Sequence, residues 1–327
     1  MRIGLYGFGS IGRLLAKVAL ERGHEIVAVI DIDPKLQGKD VGEILGIEPI
    51  GVYVTSSIDE LAAADVVLHA TGSYLDKVYD QILNVIEMGL DVVSTCETLA
   101  YPYYRYPILA RKLDEKAISY GVTVLGTGIN PGFLLDTLLI VLSASIPSIK
   151  KIKAVRSLDA SKRRLPFQKK VGIGLKPEEF RKKLETGELT GHVGYAESVL
   201  LIADAAGIQL SRVEEKQEPV VAEKEITIGE KKITPGTVIG IKGYGRGFIG
   251  DNEIIRIEFH AYVGADEYEK IIIEGKDYDI TWTSSGTPGD MGTASVLVSI
   301  AENITKLPIG LITMADIIPF KPFLSTK

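Results

Sequence analysis

Cysteine is nearly absent: Cys96 stands alone among 327 residues. One thiol excludes an intramolecular disulfide and a cysteine-based zinc site, which predicts a reducing compartment, the cytoplasm, and no metal. Basic runs longer than four residues are also missing, and Lys+Arg 37 against Asp+Glu 43 leaves a formal charge of −6. That balance gives no field to hold nucleic acid or an anionic membrane. Long apolar runs are lacking too. The strongest, Phe133 to Ile146, is broken by Asp136 and falls short of the ~20 residues that span a bilayer. Glycines at 4, 7, 9 and 12 would break the apolar core of a signal peptide, so the N-terminus reads as mature structure. Asparagine occurs four times and glutamine five, against many Lys, Glu and Ile, a balance found in proteins of hot environments.

What is present is sizeable and ordinary. Hydrophobic residues make up 46% and charged residues 24%, the averages of water-soluble globular chains, and the length suits two domains of ~100–200 residues each. The first third alternates short β-branched runs (2–6, 25–30, 52–54, 66–70, 92–95, 122–125) with amphipathic stretches at 11–21 and 74–87. This is the pattern of repeated βαβ units. Ser73 is a candidate N-cap for the second helix, and Ser57 with Glu60 has capping-box spacing. After Gly132 the texture changes to an apolar helix, a strand over 150–158, a basic loop at 162–170 and helices over 177–186 and 195–206. Long strands follow at 213–227, 237–242, 252–263, 268–274 and 279–283, joined by Gly, Asp and Pro turns, before helix returns at 291–304. The fold class is therefore α/β: a Rossmann-type doubly wound parallel sheet with a second α+β domain built on a mostly antiparallel sheet. Residues 1–132 form a dinucleotide-binding domain completed by 290–327, and residues 133–289 form a substrate-binding and dimerisation domain. An extended antiparallel sheet tends to bury its outer face against a second copy, so a homodimer is expected.

The strand at 2–6 runs directly into Gly7-Phe8-Gly9-Ser10-Ile11-Gly12 and then into a helix. In that context the glycines are a dinucleotide fingerprint. Gly7 allows the tight turn, Gly9 admits the pyrophosphate, Gly12 permits close packing, and Ser10 and Ile11 open a helix whose N–H groups face the phosphates. Asp31, about twenty residues on, is placed for the adenosine ribose hydroxyls and repels a 2′-phosphate, which favours NAD; Lys35 and Lys39 nearby leave NADP open. Thr71 and Gly72 follow the fourth strand at the sheet's carboxyl edge and border the cofactor's ribose or nicotinamide. Asn130 and Pro131, in Gly126–Gly132, close the sixth strand in the same crevice.

The strand over 92–95 ends in Ser94-Thr95-Cys96-Glu97, which puts a carboxylate at the crevice mouth with Tyr101 just beyond. Such a carboxylate can pair with a substrate ammonium or exchange protons with it, so Glu97 is the acid/base candidate. Cys96 reads as a packed side chain. The stretches 92–97 (VVSTCE), 126–133 (GTGINPGF), 163–174 (RRLPFQKKVGIG) and 191–198 (GHVGYAES) resemble the 2,4-diaminopentanoate dehydrogenase and native amine dehydrogenase family, relatives of dihydrodipicolinate reductase. The resemblance covers nearly the whole chain. It implies NAD(P)-dependent oxidation of the C4 amine of 2,4-diaminopentanoate to a ketone with release of ammonia, or reductive amination of small ketones in reverse, with Glu97 at the amine.

A small amine or diamino acid carries a carboxylate or polar tail that needs a partner, and Arg163 and Arg164 in the basic segment are the candidates. His192 and His260 are candidate substrate-site residues, the latter on a strand whose residues 256, 258, 260 and 262 share one face. The paired histidines and lysine of dihydrodipicolinate reductase are not found, since both histidines are isolated. A reductase of that type acting on another amino-acid intermediate, and a non-catalytic NAD-sensing protein, remain the alternatives.

Overall fold

Six short strands open the chain, each followed by helix or turn: β1 (Arg2–Tyr6), β2 (Glu25–Ile30), β3 (Val54–Thr55), β4 (Val66–His69), β5 (Asp91–Ser94) and β6 (Thr123–Gly126). In the computed structural model, which describes residues 1–229, 231–319 and 321–324, they join strand Gly310–Ile312 in one all-parallel sheet. Its order is Gly310–Ile312, β6, β5, β4, β1, β2, β3. The reversal of strand order between β1 and β4 is the topological switch point of a doubly wound sheet. Both faces are covered, which is why β4 to β6 read as almost continuous apolar runs. Helices Ser10–Glu21 and Gly289–Ala301 pack Leu15, Ala16, Ala294 and Leu297 against Ile3, Leu5 and Leu68. Helices Leu75–Glu87 and Pro107–Tyr120 pack Val78, Ile82, Leu113 and Ala117 against Val67, Val92 and Val124 on the other face.

Two expected caps are replaced. Ser57 precedes a 3₁₀ turn, Ile58–Ala63, without a side-chain cap. Helix Leu75–Glu87 begins past Ser73, and the Leu75 N–H donates instead to Thr98 Oγ1 at 2.8 Å.

The remaining strands are β7 (Ile149–Asp159), β8 (Arg212–Val221), β9 (Ile226–Ile228), β10 (Lys231–Ile233), β11 (Val238–Ile249), β12 (Asn252–Tyr262), β13 (Tyr268–Gly275) and β14 (Ile280–Ser284). The six-stranded sheet β14-β13-β7-β12-β11-β8 is antiparallel except at β7/β12, and β9 with β10 makes a separate antiparallel pair. The strand expected over 213–227 breaks after Val221, and the basic loop expected at 162–170 is a short helix, Leu165–Lys170, with Pro166 in its first turn. The glycine-rich stretch at 243–250 belongs to β11 almost throughout. Its glycines alternate with larger residues, and a Cβ at Gly243 would lie 2.2 Å from Tyr195 Oη, one at Gly245 2.7 Å from Tyr195 O. Helix Tyr195–Ala205 rests directly on that bare backbone. Arg156 on β7 and Glu269 on β13 form a buried ion pair at 3.3 Å. Glu269 also accepts the Thr287 N–H at 3.0 Å, and Arg156 Nη2 donates to Thr287 O at 2.9 Å.

Residue contacts divide the chain into Met1–Phe133 with Pro288–Pro319, and Leu134–Thr287 with the C-terminal residues. The expectation that 290–327 belongs to the first unit therefore needs correction at its end: the Ile149 N–H donates to Phe323 O at 2.8 Å, and Ile149 bridges Leu324. Residues 325–327 lie outside the described residues. Among the described residues no helix is long and apolar enough to cross a membrane.

Candidate active site at the carboxyl edge of the parallel sheet

The loop after β1 is built around its glycines. Gly7 has φ +96, and a Cβ there would meet Ala70 O at 2.6 Å; at Gly12 one would meet Gly7 O at 2.0 Å. Gly9 faces open space, with nothing within 4 Å of its Cβ position. Helix Ser10–Glu21 starts there with no side-chain cap and no acidic residue in its first turn, so the N–H groups of Ser10 and Ile11 and the positive dipole end are not spent on a protein carboxylate. This cradle fits a pyrophosphate. Asp31 closes it: Oδ2 accepts the Phe8 N–H at 2.6 Å, and Oδ1 accepts the Asp33 N–H at 2.8 Å.

Backbone hydrogen bonds tie the next loops to one another. Ala70 N–H donates to Tyr6 O, Thr95 N–H to His69 O, Thr127 N–H to Ser94 O and Thr98 N–H to Ser73 O. The predicted residues of this unit (Gly7 to Gly12, Asp31, Thr71, Gly72, Glu97, Tyr101, Asn130 and Pro131) thus all lie in the loops or helix starts that follow the carboxyl ends of β1, β2, β4, β5 and β6, the edge where open α/β sheets bind ligands. The loop over 126–132 is tight. Gly126 packs against Leu99, Gly132 has φ +120 over Gly128, and the Ile129 N–H donates to Thr293 Oγ1 at 3.2 Å. Asn130 is half-buried within it, joined to Pro131 by a cis peptide.

Glu97 and Tyr101 flank a single 3₁₀ turn, Glu97–Ala100, directly after β5. Both are half-buried, and Tyr101 packs edge to face on Tyr103 with ring centres 5.4 Å apart. Thr98 and Leu99 bury behind them, so the turn is anchored while Glu97 stays accessible. Burial pushes the Cys96 thiol up to about 12, which keeps it protonated and removes it as a nucleophile.

A group not foreseen from the sequence lies beneath Thr71. His69, fully buried at the end of β4, holds Ser94 Oγ at 2.8 Å through Nδ1 and Gln81 Oε1 at 2.9 Å through Nε2. Burial pushes its imidazole down to about 4, so the ring is neutral. The available signal was a lone histidine closing an otherwise apolar buried strand.

In the second unit, Arg163 stacks over Phe167 at 4.9 Å, and Arg164 is the residue before helix Leu165–Lys170. His192 packs its ring on Phe259 and edge-on to Tyr195. Burial first, then the charges of Lys170 and Arg156, hold it well below the usual histidine range. His260, the next residue after Phe259 on β12, points to the opposite sheet face, where it pairs with Glu258 at 3.3 Å. Arg256 at 2.6 Å and Lys153 at 3.4 Å share that carboxylate, and His260 leads the influences that lower Glu258 to about 2. The two histidines therefore lie on opposite faces of the sheet, His192 against Phe259 and Tyr195 and His260 in the charge network around Glu258. No cluster of potential metal ligands occurs among the described residues.

A doubly wound sheet with an open glycine loop at a helix N-terminus and the carboxylates of Asp31 and Glu97 on its carboxyl edge is the architecture of a nicotinamide-dependent dehydrogenase. Residues 133–324 match the family model of the 2,4-diaminopentanoate dehydrogenase C-terminal domain, and residues 1–95 that of the dihydrodipicolinate reductase N-terminus. The chain belongs to the 2,4-diaminopentanoate dehydrogenase family and is an NAD(P)-dependent amine dehydrogenase. It is 32% identical to the 2,4-diaminopentanoate dehydrogenase of Acetoanaerobium sticklandii over 97% of this chain and 93% of the relative. The fold is shared with an amine dehydrogenase from Mycobacterium smegmatis (TM-score 0.87, 22% identity, 99% and 98% of the two chains). It is shared more distantly with GenD2 of gentamicin A biosynthesis in complex with NAD (TM-score 0.60, 15% identity, 97% and 89%).

Proposed function

We propose that this chain oxidises the C4 amine of 2,4-diaminopentanoate to 2-amino-4-oxopentanoate and ammonia, with NAD as the preferred cofactor, and runs as a reductive aminase on small ketones in reverse. The observation that carries the reading is Glu97, held at the carboxyl edge of the same sheet that presents the fingerprint loop. The bound nicotinamide supplies the hydride acceptor. Glu97 takes the proton of the substrate ammonium, so that the nitrogen lone pair can drive the C4 hydride out and leave an iminium. Water adds to the iminium carbon, Glu97 passes its proton to the departing nitrogen, and the two protons of the water leave as the C–N bond breaks, one to the released ammonia and one to solvent. The net change is one substrate ammonium, one oxidised cofactor and one water to one ketone, one ammonium, one reduced cofactor and one proton. Arg163 and Arg164 are our candidates for the carboxylate of the diamino acid. The match to dihydrodipicolinate reductase stops at residue 95, inside the cofactor unit, and so gives that alternative substrate no support.

Glu97→Gln tests the reading. General acid–base catalysis contributes about 10²–10⁴-fold, so kcat on 2,4-diaminopentanoate falls by that factor while affinity for the reduced cofactor, read by its fluorescence, stays at the wild-type value. Full activity in the variant refutes the assignment. No turnover by wild-type protein that binds NADH refutes the named substrate. We also expect a homodimer through the second sheet in the cytoplasm, which light scattering on the purified protein would refute by returning a monomer mass.

A further inference from the structure

The geometry points to His69, Ser94 and Gln81 as positioning residues that hold the Thr71 hydroxyl as a hydrogen-bond acceptor toward the cofactor ribose, an inference that rests on the cofactor reading above. The proton arrangement follows from one atom. Gln81 Oε1 has no hydrogen, yet it lies 2.9 Å from His69 Nε2 and 2.5 Å from Thr71 Oγ1. Both neighbours must donate to it. With Nε2 protonated and the ring neutral, Nδ1 is an acceptor and takes the Ser94 hydroxyl proton; Ser94 Oγ in turn accepts the Cys96 N–H at 3.1 Å. Thr71 Oγ1 also lies 2.9 Å from His69 Nε2, so the Nε2–H is shared between Gln81 Oε1 and one Thr71 lone pair, while the Thr71 proton is turned inward to Gln81. Thr71 itself is exposed at the carboxyl edge, so what it offers outward is its remaining lone pair. A ribose hydroxyl, which can donate, is met; a second acceptor is repelled. Gln81 stands within helix Leu75–Glu87 and His69 ends β4, so the hydroxyl is set by two rigid elements.

The test is a double-mutant cycle on NADH affinity, read by fluorescence titration of the full-length protein. Thr71→Val and Gln81→Met each weaken binding about tenfold, Thr71→Ser retains wild-type affinity, and the Thr71→Val/Gln81→Met double variant is no weaker than Thr71→Val. His69→Gln, with its melting temperature recorded, is the second route to the same loss. Wild-type affinity in Gln81→Met, or losses that multiply in the double variant, overturns the proposal and leaves the cofactor reading standing. Wild-type protein that binds neither NADH nor NADPH overturns the cofactor reading and this proposal with it.

Discussion

Asp31 enters the cradle already committed to two backbone N–H groups, from Phe8 and Asp33. Those donors fix the direction of the carboxylate, so under the proposed reading it offers a cofactor ribose a preset acceptor. Asp31→Ser is expected to weaken NAD by about 10–100-fold, the worth of a hydrogen bond to a charged group, and to raise the NADP-to-NAD ratio of kcat/KM. The histidines give a different prediction. His69, lowered to about 4 by burial, and His192, held well below the usual histidine range, stay neutral in the folded chain while an unfolded histidine protonates below about 6.5. The unfolded state then binds more protons, so stability falls as pH drops through the window from about 6.5 to 4. For His69 the loss reaches about 3 kcal/mol by pH 4, at about 1.4 kcal/mol per pH unit. Urea unfolding of His69→Gln is expected to lose about 3 kcal/mol less than the wild type between pH 6.5 and pH 4.

At the scale of elements, two glycines three residues apart make opposite predictions. Gly12→Ala drives a Cβ into the Gly7 carbonyl and lowers the melting temperature, whereas Gly9→Ala enters open space, keeps the melting temperature and loses NADH affinity. In β11, Gly245→Ala lifts helix Tyr195–Ala205 off the strand, an overpacking cost of about 1–3 kcal/mol, to be read by chemical denaturation. These glycines also show where sequence stops speaking. The βαβ alternation, the fingerprint and the switch-point loops were legible because each depends on local pattern and local turn chemistry. The glycines of 243–247 read as a turn because their reason is a helix some forty residues earlier in the chain. The basic segment read as a loop because charge masks a single helical turn. His192 and His260 looked alike in sequence; only the strand alternation at Phe259 separates their faces. His69 was passed over because, Thr71 apart, its partners come from β5 and from the middle of a helix, neither near it in sequence.

At the scale of the molecule, the chain leaves its first unit after Phe133 and returns at Pro288. The buried pair of Arg156 and Glu269 grips Thr287, the last residue before that return. Removing one partner of a buried pair costs about 3–5 kcal/mol, so Glu269→Leu is expected to destabilise the second unit by that amount in denaturant titrations. The interrupted path also sets an order of events during synthesis. Residues 1–133 are made with one flank of helix Ser10–Glu21 uncovered, because its neighbours Ala294, Leu297, Val298 and Ala301 are translated only after residue 287. A nascent chain halted near residue 287 therefore holds an unfinished host beside an inserted unit that still awaits Phe323 and Leu324, so neither unit closes before the residues after 287 are made.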